Sequence, residues 1–110
     1  MKSSHEPPKK YRQFIERFPK LGAAWETLQE AEQEGPLDEH TRRLVKLAVA
    51  IGSLKEGVVH SSVRKASSAG VTQKEMEQVV TLAASIVGLP STVAVYTWIQ
   101  DALDKETRKD

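Results

Sequence analysis

The chain has 110 residues, 39% hydrophobic and 28% charged, a composition that fits one ordinary globular domain rather than a disordered or fibrous chain. Sixteen Lys and Arg against 15 Asp and Glu leave a formal net charge of +1, so no bulk basic field argues for nucleic acid or an anionic membrane as a partner. There is no cysteine, which excludes disulfides, thiolate metal sites and every thiol nucleophile.

Charge is uneven along the chain. Lys2, Lys9, Lys10, Arg12, Arg17 and Lys20 face only Glu6 and Glu16 in the first twenty residues, whereas Glu26, Glu30, Glu32, Glu34, Asp38 and Glu39 follow unopposed. Such blocks mark solvated faces that meet each other or a neighbouring subunit. The start, MKSSHEPPKK, lacks the apolar stretch of a signal peptide, and no run is long enough to span a bilayer, so a cytoplasmic location is expected.

Residues 1–10 read as a flexible arm because Pro7-Pro8 forbid an early helix, and a single helical domain is expected over 11–106. Tyr11, Phe14, Ile15 and Phe18 fall at helical spacing before Pro19, and Leu21, Trp25 and Leu28 line a second helix that Gly35-Pro36 ends. Asp38 is an N-cap with Glu39 in the first turn, opening a helix from Thr41 to about Ser53. Its Leu44, Val45, Leu47, Ala48, Val49 and Ile51 predict a central helix nearly surrounded by protein. The next helix begins at Lys55 or Glu56 and ends at Ala69, with Gly70 as a left-handed cap. Thr72 and Glu75 form a capping box for a helix carrying Met76, Val79, Val80, Leu82, Ala83 and Ile86. Gly88-Leu89-Pro90 stops it, and a last helix runs from about Ser91 to near Lys105. No segment alternates with a two-residue period, so the expected fold is all-α, a bundle of five to six helices.

The stretch KEGVVHSSVRKA, residues 55–66, opens the fourth of these helices. At about 100° per residue, Lys55, Val58 and Ser62 share one face, while His60 lies about 200° around from Val58, one turn from Glu56 and Arg64. Together with LDEHTRRLVKLAVAIGS from Leu37, VRKASSAGVTQKEMEQVVTLAASIVGLP from Val63 and VAVYTWI from Val93, this segment resembles the carboxymuconolactone decarboxylase-like family, which includes the alkylhydroperoxidase D-like proteins. The resemblance implies an all-helical subunit that assembles with itself, often as a trimer or hexamer.

In the family's peroxidase branch, a helix-borne Cys-x-x-Cys is followed three residues later by His, and a Glu on the preceding helix completes the proton relay. Aligned through Val63-Arg64-Lys65-Ala66, the cysteines fall on Lys55 and Val58, the histidine on Ser62 and the glutamate on Arg43. All four functional positions are changed, so thiol peroxidase chemistry is not expected. The histidine of the decarboxylase branch also falls on Ser62, and a serine has no pKa useful for proton transfer near neutrality.

Arg43 and Lys55 put two cations where the family has an acid and a thiol. A pocket kept at this place would take a small carboxylate or phosphate, with Ser62 as a hydrogen-bond donor and the helix N-terminus adding positive potential. The plainer reading makes Arg43 and Lys55 surface cations at helix ends. His60 is a candidate acid/base, since imidazole ordinarily titrates near neutral pH, or half of an intersubunit metal site with His40 or a symmetry mate. The plainer reading makes it an interface or solvated hydrogen-bonding residue. No metal spacing is present, and no cofactor is expected. Two function classes follow: a homo-oligomeric structural or small-anion-binding protein, or a thiol-independent decarboxylase or lactone-type enzyme using His60 with Arg43 and Lys55 as anchors. Trp25, Trp98 and Tyr96 read as core or interface anchors.

Overall fold

Proline and glycine punctuation divides residues 9–107, the part that the computed structural model describes, into six helices: α1 Lys9–Arg17, α2 Pro19–Glu32, α3 Glu39–Ser53, α4 Glu56–Ser68, α5 Gln73–Val87 and α6 Leu89–Thr107. There is no strand among the described residues. The arm expected over 1–10 lies outside them except for Lys9 and Lys10, which already belong to α1. The described chain forms two compact units that meet in sequence between Leu37 and Asp38.

The first unit is a helical hairpin. Phe18 separates its helices, its N–H still bonded to Phe14 O at 2.9 Å, and Pro19 then opens α2, where a missing N–H costs nothing. The helices approach closely where Gly22 faces Ile15. A Cβ at Gly22 would lie 3.1 Å from Ile15 Cβ, which explains a glycine inside a helix.

The second unit is a four-helix bundle in which α3 packs on α4 and α5, and α6 packs on the same two helices. Leu47, Ala50 and Ile51 of α3, Val59, Val63 and Ala66 of α4, Met76, Val79 and Val80 of α5, and Val95, Ile99 and Ala102 of α6 are buried together with Val71. Each set recurs at three- or four-residue spacing and gives its helix one buried stripe.

The connections are tightly specified. The α4 helix ends in a Schellman motif, with Val71 N–H on Ala66 O at 3.0 Å and Gly70 N–H on Ser67 O at 3.1 Å, and with Gly70 at φ 89°. Buried Val71 then anchors the turn apolarly. The Thr72 cap accepts from Glu75 N–H at 3.1 Å, while Glu75 Oε1 accepts from Thr72 N–H at 2.8 Å. Gly88 alone separates α5 from α6, at φ 90° and ψ 156°, a backbone region open in practice only to glycine.

Two expectations change here. The last helix starts at Leu89 rather than near Ser91, because Pro90 sits in the first helical turn, where its fixed φ is tolerated. The α3 helix is not enclosed within its own chain: Val45 and Val49 are 46% and 69% exposed. Its apolar residues form two stripes, Leu44, Leu47, Ala50 and Ile51 inward, and Val45, Ala48, Val49 and Gly52 outward.

Candidate functional site

The α3–α4 turn sets the geometry around KEGVVHSSVRKA. Leu54 closes α3 in the left-handed region at φ 56°, with its N–H on Ile51 O at 3.1 Å. Ser53 Oγ donates to Ala50 O at 2.6 Å and accepts from Lys55 N–H at 3.3 Å. These bonds fix Lys55 as the extended N-cap of α4, whose carbonyl accepts from Val59 N–H at 3.0 Å. The α3 and α4 helices pack together across this two-residue link and therefore run antiparallel.

Lys55 and Val58 are exposed and Ser62 is half-buried along one flank of the buried Val59–Val63–Ala66 stripe. Arg43 is half-buried near the start of α3. It lies ten residues from the end of that helix, so its backbone is about 15 Å from the level of Lys55, a gap that two long side chains can partly close. Among the described residues, the side chains of Arg43, Lys55 and Ser62 have no hydrogen bond or ion pair.

His60 is placed differently, about 160° from Ser62 around α4. Its Nε2 is shielded from solvent and makes no hydrogen bond. Glu56 Oε2, one turn back, stands 3.6 Å away. Within one chain, His40 lies elsewhere. His40 Nε2 instead donates to Glu75 Oε2 at 2.8 Å, linking the first turn of α3 to that of α5. Glu75 thereby serves two partners, and its carboxyl is held below its ordinary value first by the Thr72 N–H and then by His40. Asp38, which accepts from Thr41 N–H at 2.8 Å as the α3 cap, is lowered by that same hydrogen bond. No group of three His, Cys, Asp or Glu able to hold a metal occurs among the described residues.

The His40–Glu75 link was not legible beforehand; its one sequence signal was a histidine in the first turn beside a capping aspartate. Taken as a class, this is an all-helical protein whose α3–α4 flank carries cations and a hydroxyl, in a chain without a thiol. The model of the carboxymuconolactone decarboxylase family matches residues 19–101, and the chain belongs to that family. No curated protein and no solved structure matches it. No helix among the described residues is long and apolar enough to cross a membrane.

Proposed function

We propose that this family member acts without thiols as a self-assembling protein that binds a small carboxylate or phosphate on the Arg43–Lys55–Ser62 flank of α3 and α4. The observation that carries the reading is the unpaired state of these three side chains among the described residues, in a chain whose acidic and basic residues are nearly equal in number. Lys55, a cation without a carboxylate partner beside the N-terminus of α4, makes a receptive place for an anion, because Coulomb attraction and backbone N–H groups act on the same ligand, and Arg43 would reach toward it from about 15 Å along α3. Val58 supplies an apolar wall on the same flank.

The reading with His60 as acid/base receives less support, since the helical twist carries His60 away from Lys55 and Ser62 and puts it beside Glu56. Self-assembly is supported by the outward stripe of α3, with Leu82 and Ile86 of α5 and Leu89, Val93 and Tyr96 of α6 also exposed. Exposed apolar side chains grouped along helix faces are the kind of surface that self-association covers.

The binding test is a thermal-shift series against inorganic phosphate and a panel of small mono- and dicarboxylates. Stabilisation by at least one anion is expected in the wild type and is lost in Lys55→Ala and Arg43→Ala. A flat series, or shifts indifferent to both substitutions, refutes the anion site. Hydroperoxide consumption with a dithiol reductant is expected to stay at the uncatalysed rate.

A further inference from the structure

The α3–α4 turn holds the one non-glycine residue at positive φ among the described residues, Leu54 at φ 56° and ψ 32°. For an L-residue this left-handed state crowds Cβ against the following carbonyl oxygen, and helices that end in it ordinarily use glycine or asparagine. The chain itself does so at its two other tight turns, with Gly70 at φ 89° and Gly88 at φ 90°. Burial of the leucine side chain does not offset the strain. Leu54 is 43% exposed and lies outside the buried core cluster.

What the leucine does is narrow the backbone. Glycine roams widely at positive φ, whereas a residue with a Cβ has only a small left-handed well there. Hydrogen bonds hold that well on both sides. Leu54 N–H donates to Ile51 O at 3.1 Å. The next amide, that of Lys55, donates to Ser53 Oγ at 3.3 Å, and the same hydroxyl donates to Ala50 O at 2.6 Å. Lys55 then leaves the turn extended, at φ −107° and ψ 116°, and its carbonyl accepts from Val59 N–H at 3.0 Å. The direction in which the Lys55 side chain starts is thus set by bonds on its own amide and carbonyl and by the single well open to the residue before it. Backbone strain of this kind persists only where the surroundings over-determine it, and ligand clamps are among the places where it collects.

We propose that Leu54 is a positioning residue of the anion site: its strained left-handed backbone, locked by the Ser53 hydroxyl, holds Lys55 on the flank that it shares with Ser62. This role rests on the binding of a small anion by Arg43, Lys55 and Ser62 proposed above, and it explains how a cation on a two-residue link is kept from swinging. An anion that meets a fixed cation loses no affinity to ordering the turn. On a turn loosened at residue 54, the same binding must order the backbone first.

The test compares Leu54→Gly, Leu54→Asn and Ser53→Ala with the wild type in the full chain. Affinities are measured by isothermal titration with inorganic phosphate and the same mono- and dicarboxylates. Amide hydrogen exchange at Lys55 and circular dichroism melts are recorded without anion. Leu54→Gly is expected to weaken binding about five- to tenfold, the cost of ordering one residue, and to speed exchange of the Lys55 amide. Leu54→Asn deletes the apolar side chain but keeps a residue at home in the left-handed region, and is expected to bind as the wild type does. Ser53→Ala removes the acceptor of the Lys55 amide and is expected to weaken binding as Leu54→Gly does. Wild-type affinity in Leu54→Gly overturns the proposal and leaves the anion site standing. If Leu54→Gly melts too early to titrate, wild-type affinity in Ser53→Ala has the same meaning. Equal weakening in Leu54→Gly and Leu54→Asn also overturns it, because the effect then belongs to the leucine side chain. Failure of every anion to bind the wild type refutes the site itself, and the positioning role falls with it.

Discussion

His60 Nε2 is shut away from water without a hydrogen bond, with Glu56 Oε2 3.6 Å away, and a buried polar atom lacking its hydrogen bond costs stability. Its replacement by an apolar side chain of similar bulk, His60→Leu, is therefore expected to hold or raise the melting midpoint, by up to about 1 kcal/mol in chemical denaturation. A pronounced drop would mean that the imbalance is compensated by a contact outside the single chain. Glu75 gives a pH dependence with a definite sign. Folding lowers its carboxyl below the ordinary 4.5, so its contribution is fully present above that pH and is lost as pH falls through the folded value. The midpoint should decline in that acidic window, and Glu75→Gln should flatten part of the decline. The Thr72–Glu75 box was readable from two residues three apart, because capping is local. The His40–Glu75 bond joins residues 35 apart in sequence and exists only because α3 and α5 pack side by side.

At the level of the helices, the punctuation that was legible was of the short-range kind: Asp38, Gly70, Thr72 and Gly88 each impose a backbone state within a turn. Gly88 is the most demanding of these. Gly88→Ala is expected to destabilise by about 1–3 kcal/mol, measured by urea denaturation, since no other residue adopts its φ and ψ cheaply. Leu54 was not anticipated as a left-handed terminator, because leucine carries no signal for it; the tight α3–α4 turn imposes the conformation. Lys55 caps α4 and Val58 stands three residues on in its first turn, a spacing at which two cysteines can pair. Lys55→Cys/Val58→Cys is expected to form an intramolecular disulfide on oxidation, with a thiol titrating below the ordinary value of about 8.5 at the helix N-terminus. Absence of that disulfide in mass spectrometry would show that the turn has departed from a dithiol-competent form.

For the whole molecule, the core places Ile99 of α6 among fully buried residues of the other helices, and Ile99→Ala is expected to cost about 2–5 kcal/mol in the same denaturation assay. Val49→Asp should leave that stability nearly intact in a dissociated chain, since Val49 faces outward, while lowering the subunit number. Sequence by itself determined the helical class, the order of the six elements, the absence of any thiol and the family, because periodicity, caps and the presence or absence of a residue type are properties of short windows or of composition. The apolar run of α3 predicted enclosure but could not say by what, since an inward and an outward stripe look alike until neighbouring helices take their sides. Only the tertiary structure decided that Val45 and Val49 are left open, that His40 belongs to Glu75, and that His60 Nε2 is shielded from water beside Glu56 without a hydrogen bond. Each of these depends on which helix packs against which, and that choice is made by residues far apart in the chain.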